Sequence, residues 1–454
     1  MHEMHQLSTF WFWVAGAAKV IGVFTMVMLA VAYMTLAERR VSGFIQDRLG
    51  PNRVGPFGLL QPIADAVKNL IKEETMPGTS AKFYFVLGPM LAIMPAVVTF
   101  AVIPIAAPLP TPVGTVDMIV ADVPIGILYI LALSSLAVYG IVLSGWASNN
   151  KYAFLGGLRA SAQMISYEVA LGLSVIAVLL LAGNVTLTEM VWQQQQMKLW
   201  FVFPLSLAFI FFVISALAET NRLPFDMPEA ESELITGYHT EYSAMKFSMF
   251  FIAEYAHVLT ASALMATLFF GGWDIPVWTG DDMFWHEGAL IRGFDEAGAP
   301  IAATPNVLIT LLTLGAFSAK TAFFVLLYIW IRWTLPRFRY DQVMHLGWKV
   351  LLPAALGYIV LVAGTMLVLD QLGVPFGFRY GLILTGVSGV TTVAFLFFVD
   401  RDRVISGAHG QGSVARIRAR AAASVAASAA VPSAARTAPG ARPTTQAPPG
   451  PASS

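Results

Sequence analysis

This chain is built to form an all-α, polytopic membrane helix bundle. The expected layout is eight spans in a core, a ninth toward the C-terminus, and one amphipathic helix lying in the interface. Three features say so. Of its 454 residues, 57% are hydrophobic and only 12% are charged, about half the charged share of an ordinary soluble domain. The apolar residues gather in runs of about twenty, the length of helix that crosses ~30 Å of hydrocarbon. Lys and Arg concentrate in alternate loops, as they do in multi-pass chains.

Span one (10–36) is too long, and lacks the basic flank, for a cleaved signal, so it reads as a retained helix. The loop after it carries Gly50-Pro51-Asn52 and Gly55-Pro56 as turn punctuation, then Pro62 where a helix's first turn accepts it. Behind Pro62, Leu59, Ile63, Val67, Leu70 and Ile71 recur at helical spacing, with Asp65, Lys68, Lys72 and Glu73 on other faces. Such a helix lies in the interface plane instead of spanning. The remaining spans fall at 83–105, 126–143, 164–182, 199–218, 247–270, 307–331, 350–369 and 380–399. Pro89, Pro95 and Pro104 should kink the second, and neighbouring helices can re-satisfy the freed carbonyls. Trp11, Trp13, Trp146, Trp200, Trp273, Trp330 and Trp333 sit at span ends, as interfacial anchors do.

Basic residues set the orientation. Arg39, Arg40, Arg48, Arg53, Lys68, Lys72 and Lys82 share one loop, and Lys151, Arg159, Arg222, Lys246, Arg332, Arg337, Arg339 and Lys349 fall in later loops of the same side. The expected N-terminus is therefore outside and the C-terminus cytoplasmic. Residues 1–369 form the core, 370–403 an extra span, and 404–454 a tail of Ala, Pro, Ser, Gly and Arg that cannot bury enough surface to order itself. From Arg401 onward, seven arginines face only Asp402, so the tail is either a solvated extension or a contact for anionic headgroups.

Composition also excludes. With no cysteine there is no disulfide, no thiolate zinc site and no cysteine-ligated iron–sulfur cluster. No glycine-rich phosphate loop opens a βαβ unit. The seven histidines (2, 5, 239, 257, 286, 345, 409) place no two in one span at a spacing that stacks haems, and no His/Asp/Glu set looks like a metal cage.

Two sets of residues could carry chemistry. In the loop after span five, Glu219, Asp226, Glu229, Glu231, Glu233 and Glu241 face a single Arg222, interleaved with Pro224, Phe225, Met227 and Leu234. Like charges packed against a membrane must keep some carboxyls protonated, with coupled titrations, and such groups can hold and pass protons. Inside the spans lie Glu168, Glu254, His257 and Lys320, and charge at that depth normally faces the bundle interior. Lys19 either does the same or snorkels, and His257 reads first as a core residue. Glu38, Glu168, Glu219 and Glu254 thus come to one half of the membrane, where they could form a hydrated chain. The long acidic loop between spans six and seven reads only as a solvated face.

At these residues the sequence resembles the NADH-quinone oxidoreductase family of quinone-site membrane subunits in respiratory complex I, also called NADH dehydrogenase subunit 1. The resemblance rests on Glu38-Arg39-Arg40, on 46–65 (QDRLGPNRVGPFGLLQPIAD), on Gly157-Leu158-Arg159 through Ser166-Tyr167-Glu168, on 218–226 (AETNRLPFD), on 228–234 (PEAESEL) and on 333–342 (WTLPRFRYDQ). It covers roughly residues 10–369; the ninth span and the tail exceed it. The resemblance implies a quinone tunnel lined by Arg39, Arg48, Asp65, Phe247, Phe251 and Arg332. It implies a proton relay of Glu38, Glu168, Glu219, Asp226, Glu229, Glu231 and Glu254, with Arg159, Arg222 and Lys320 as supporting charges. The implied activity is that of a subunit of a proton-translocating NADH:quinone oxidoreductase in a bacterial inner membrane. Quinone is the substrate, and no cofactor, metal or complete catalytic site belongs to this chain. FMN and iron–sulfur clusters are expected in partner subunits. Those partners are peripheral-arm subunits at the cytoplasmic loops and small or antiporter-like membrane subunits at the sides. Membrane lipids are expected to touch the chain and nucleic acid is not. An antiporter-type transporter, or the equivalent subunit of a membrane-bound hydrogenase, is the alternative.

Overall fold

A computed structural model describes residues 9–112, 114–227, 235–275, 278, 280–286, 289–294 and 300–400. Glu229, Glu231 and Glu233, and the tail beyond 400, lie outside the described residues. The chain divides into two compact units, Met1–Ala394 and Phe395–Ser454. The first holds the bundle. Of the second, only the last residues of a helix are described.

Among the described residues eight helices are long and apolar enough to cross a membrane, which makes this an all-α, multi-pass membrane protein. In chain order the helices are α1 (Thr9–Ile45), α2 (Gln61–Ile71), α3 (Lys82–Val98), α4 (Gly126–Ala147), α5 (Lys151–Ala182), α6 (Leu187–Met197), α7 (Ser206–Glu219), α8 (Ala244–Phe269), α9 (Val307–Thr334), α10 (Tyr340–His345), α11 (Leu352–Gln371) and α12 (Phe378–Asp400). A π-helical turn, Leu346–Leu351, joins α10 to α11 without a break. The centre of the bundle is α8, with 67% of its most apolar window buried, against 22% for α1 and α11. It packs against α1, α3, α7 and α9.

At 37 residues α1 is roughly 55 Å long at 1.5 Å per residue, so its far end, with Glu38 and Arg39, runs past the hydrocarbon. Pro62 opens α2, which buries none of its residues and leaves Ile63, Val67, Leu70 and Ile71 exposed, as an interfacial helix does. The Gly/Pro-rich loop before it has a fixed backbone: Gly58 holds φ 74°, and a Cβ there would collide with the Pro51 carbonyl.

Four expectations change. The fifth span is regular helix only over the 14 residues of α7, about 21 Å, because Pro204 lacks an N–H and α7 begins just beyond it. The irregular 201–205 stretch is tolerated because Phe201 and Leu205 are buried in protein, away from lipid. The fourth span starts at Lys151, where Asn150 caps the helix by accepting from the Tyr152 N–H at 3.0 Å. Lys151 and Arg159 had hidden that start from a hydropathy reading. Glu168 therefore falls near the middle of a 32-residue helix, not near its end. Strands also occur: β1 (Ala106–Thr111) pairs antiparallel with β2 (Gly114–Met118), and β3 (Phe284–His286), β4 (Ala289–Phe294) and β5 (Pro300–Ala302) form a second small sheet. The loop after α8, read as solvated, instead buries Asp274 and Asp281.

The C-terminal helix α12 joins the bundle through hydroxyls: Ser388 lies 3.0 Å from Ser206 and 2.8 Å from the Tyr358 hydroxyl, and Thr392 lies 2.9 Å from Ser206. Small polar side chains of this kind hold helices together where lipid removes the hydrophobic drive.

Candidate functional site

A cavity of about 840 Å3 opens between α1, α2 and α8 and reaches the end of α9. One wall is apolar, with Met28, Val31 and Ala32 of α1 facing Phe247 and Phe251 of α8. The far end is charged. All six residues expected to line a tunnel (Arg39, Arg48, Asp65, Phe247, Phe251 and Arg332) do line this cavity. Arg39 pairs with Asp65 of α2 at 2.6 Å, which ties the interfacial helix to α1. Arg48 is held by the Gln46 side chain at 2.8 Å.

At the inner end, Glu38 gathers cations. Its carboxylate accepts from Arg332, from the Tyr255 hydroxyl at 2.6 Å, and lies 3.5 Å from Arg222. Arg222 also sits 4.2 Å over the Tyr255 ring and 3.9 Å from the Glu254 carboxylate. The side chains of Glu38 and Arg222 are only 10% and 13% exposed. Buried charges are tolerated when paired and hydrogen-bonded, and this cluster is both.

From there carboxylates lead into the bundle. Glu254 accepts from the Tyr238 hydroxyl at 3.1 Å. With Glu219 and His257 it lines a cavity of about 20 Å3, room for one water. Glu219 lies within electrostatic reach of Glu168, whose carboxylate accepts from Ser135. Asp226 pairs with Arg337 at 2.7 Å.

The loop that carries these groups is pinned from α5. The buried Gln163 amide nitrogen reaches the Ala218 carbonyl (2.8 Å), the Phe225 carbonyl (2.7 Å) and the Asn221 side chain (3.1 Å). Gly156 lets α5 approach the 237–239 turn, since a Cβ there would stand 2.7 Å from the Gly237 Cα. In that turn His239 packs its ring against Phe247 and Phe251, and burial pulls its pKa down to about 4. Its imidazole is neutral, apolar packing for the cavity's aromatic wall.

Two expected supporting charges lie elsewhere. Arg159 sits 5.8 Å from the Tyr340 ring. The Lys320 ammonium donates to the carbonyls of Phe270, Gly272 and Asp274 at 2.7, 3.0 and 2.5 Å, closing the C-terminus of α8, where a cation is favoured. Beside it the carboxylates of Asp274, Asp281 and Asp282 come within 4.8 Å of one another. Burial raises the Asp281 pKa to about 7. Lys320 supplies positive charge to Asp274 and Asp281, so no metal is assigned there.

Sequence reasoning missed Tyr255, Tyr238, Ser135 and Trp333, which donates to Ser42 at 2.8 Å. Tyr255 adjoins Glu254 and Tyr238 lies in the acidic loop, but Ser135 carries no signal in sequence.

Fold and site together define a class: a multi-pass helical membrane protein with an amphiphile-sized cavity ending on buried, paired charges. Similarity to known proteins narrows the class. The NADH dehydrogenase family matches residues 18–363. NADH-quinone oxidoreductase subunit 8 of Rhodothermus marinus is 47% identical over 355 residues, covering 78% of this chain and 96% of its own. NADH-ubiquinone oxidoreductase chain 1 of Chondrus crispus is 48% identical over 349 residues, covering 77% and 96%. The chain belongs to this family of NADH-quinone oxidoreductase membrane subunits. The family match stops short of α12.

Proposed function

We propose that the chain is the membrane subunit through which a bacterial proton-pumping NADH:quinone oxidoreductase admits quinone and couples its reduction to proton transfer. One observation carries this reading: an 840 Å3 cavity with apolar walls whose inner end is the Glu38–Arg332–Arg222 cluster. An isoprenoid tail suits the apolar wall and a polar quinone head suits the charged end. In the reaction the quinone takes two electrons from a reductant in a partner subunit and two protons, giving the quinol. FMN and iron–sulfur centres belong to those partners, and this chain supplies no metal ligand.

Charge arriving near the head acts on Glu38 through a poorly screened site. Glu38 competes with that charge for Arg332 and Arg222, and Arg222 in turn lies beside Glu254. Glu254, Glu219 and Glu168 are the onward relay, joined in the same role by Asp226 and by Glu229 and Glu231 of the acidic loop, the last two outside the described residues. Arg222, beside Glu38 and Glu254, supports it electrostatically. The basic loops on one side favour a bacterial inner membrane orientation with the N-terminus outside and the C-terminus in the cytoplasm. Those loops suit docking of the peripheral-arm subunits, and the exposed sides of α11 and α12 suit lipid and lateral subunits.

The test is Arg39→Ala and Arg48→Ala in the assembled enzyme, read as KM for quinone. A rise of about tenfold is expected for loss of a charge-assisted contact. Normal quinone KM and turnover in both variants would overturn the tunnel assignment.

A further inference from the structure

We propose that His257 is a positioning residue of the proton route: it holds the water through which Glu254 passes a proton to Glu219. This rests on the relay reading above and adds to it a side chain that is not one of the acids. His257 lies three residues beyond Glu254 in α8, on the same face of the helix. Both line the cavity of about 20 Å3 into which Glu219 also opens. The rest of that wall is mostly apolar, with Ala92 of α3 and Ala137 and Ile141 of α4.

A confined water needs two to four polar partners as well as room. Other polar groups in this wall are engaged. Glu254 accepts from Tyr238, the Asn221 side chain accepts from Gln163, and the Thr220 hydroxyl donates to the Ala216 carbonyl at 3.1 Å. His257 differs from them. Among the described residues its imidazole makes no hydrogen bond. Nε2 is sealed within protein, which leaves Nδ1 as the ring nitrogen open toward the cavity. A buried polar group without a partner is costly, and α8 is the central helix, far from bulk solvent. Nδ1 together with the Glu254 and Glu219 carboxyls gives one water three partners.

The step balances with no charge on the ring. Protonated Glu254 gives its proton to the water as the water gives one of its own to ionised Glu219. One proton moves, no electron moves, and the water is restored. His257 fixes the water oxygen throughout and exchanges no proton.

The test uses the assembled enzyme in sealed vesicles, read as proton transport and quinone turnover, with redox-difference infrared spectra in ordinary and oxygen-labelled water. His257→Leu is expected to lower proton transport about tenfold, the scale of one lost hydrogen bond to a charged group. Its KM for quinone should not change, because His257 does not line the larger cavity. The label-sensitive band of a confined water should be present in the parent enzyme and lost in this variant. His257→Asn sets a polar atom where Nδ1 stands and should restore both transport and band. Normal transport in His257→Leu overturns the proposal. So does lost transport with the band still present and no rescue by Asn, which would make His257 a packing residue. Where His257→Leu fails to assemble, Ala137→Val decides: it fills the cavity without touching a polar group, and unchanged transport with the band intact counts against the water. Glu254→Gln and Glu219→Gln separate the two readings. Transport lost in both but kept in His257→Leu refutes the role of His257 alone, and transport kept in all three refutes the relay itself.

Discussion

Glu38 is the residue on which the inner end of the cavity turns. It meets Arg332, Arg222 and Tyr255 at once. Glu38→Gln leaves two guanidiniums against a neutral amide, and removing one member of a buried ion pair costs roughly 3–5 kcal/mol. Thermal unfolding of the purified enzyme should therefore begin at lower temperature, with quinone turnover down more than tenfold on the usual scale of such losses. Tyr255→Phe removes one bond to a charged group, about 1.5–3 kcal/mol, and should raise quinone KM without dissolving the Arg332–Glu38 pair. His239 gives a pH test. Its folded pKa of about 4 lies below its ordinary 6.5, so the unfolded segment binds the proton more readily between those values. Local stability is full above 6.5 and falls as pH drops toward 4, by about 1.4 kcal/mol per unit. Amide protection factors across 235–243, taken relative to the intrinsic rate at each pH, should fall from pH 6.5 to 5, and His239→Phe should flatten that dependence. The charged members of the site were legible because ionisable side chains near a membrane are rare. Their partners Tyr255 and Ser135 were not, because which helix faces each acid is decided by packing between segments far apart in sequence.

At the scale of elements, spans announced themselves through length and apolar composition, and α2 through its periodicity and Pro62. Hydropathy failed where backbone chemistry intervened, at Pro204 ahead of α7 and at the Asn150 cap of α5. The outer loop was misread because its aspartates look solvent-seeking until Lys320, a residue from α9, is placed beside them. Asp281 has the opposite pH sign to His239. Its folded pKa is raised to about 7, so its contribution is fully present below the unfolded value near 3.8 and is lost as pH rises through 7. Asp281→Asn should stabilise this loop at pH 8 and change little at pH 4, measured by limited proteolysis. Gly156→Ala should push the 237–239 turn off α5 by putting a Cβ 2.7 Å from Gly237; overpacking of this kind costs about 1–3 kcal/mol and would appear as a lowered unfolding temperature.

At the scale of the whole molecule, the cavity beside α1 leads by ion pairs through Glu38, Arg222 and Glu254, then by a shared small cavity to Glu219 and by electrostatic reach to Glu168. Glu254→Gln and Glu219→Gln therefore make a joint prediction in reconstituted vesicles: quinone reduction persists in part, while protons moved per NADH fall. Proton transport unchanged in both would exclude the relay. The bundle's existence and its charged half could be read from residues 18–363, where the family match lies. The attachment of α12 could not, because hydroxyls at Ser206, Tyr358, Ser388 and Thr392 are unremarkable until the helices meet.

The amide of Gln163 has two hydrogens and three acceptors within 3.1 Å. Two hydrogens therefore divide among three acceptors, one of the contacts being shared. The segment that carries Arg222 is thus fastened by a latch with more keepers than bolts.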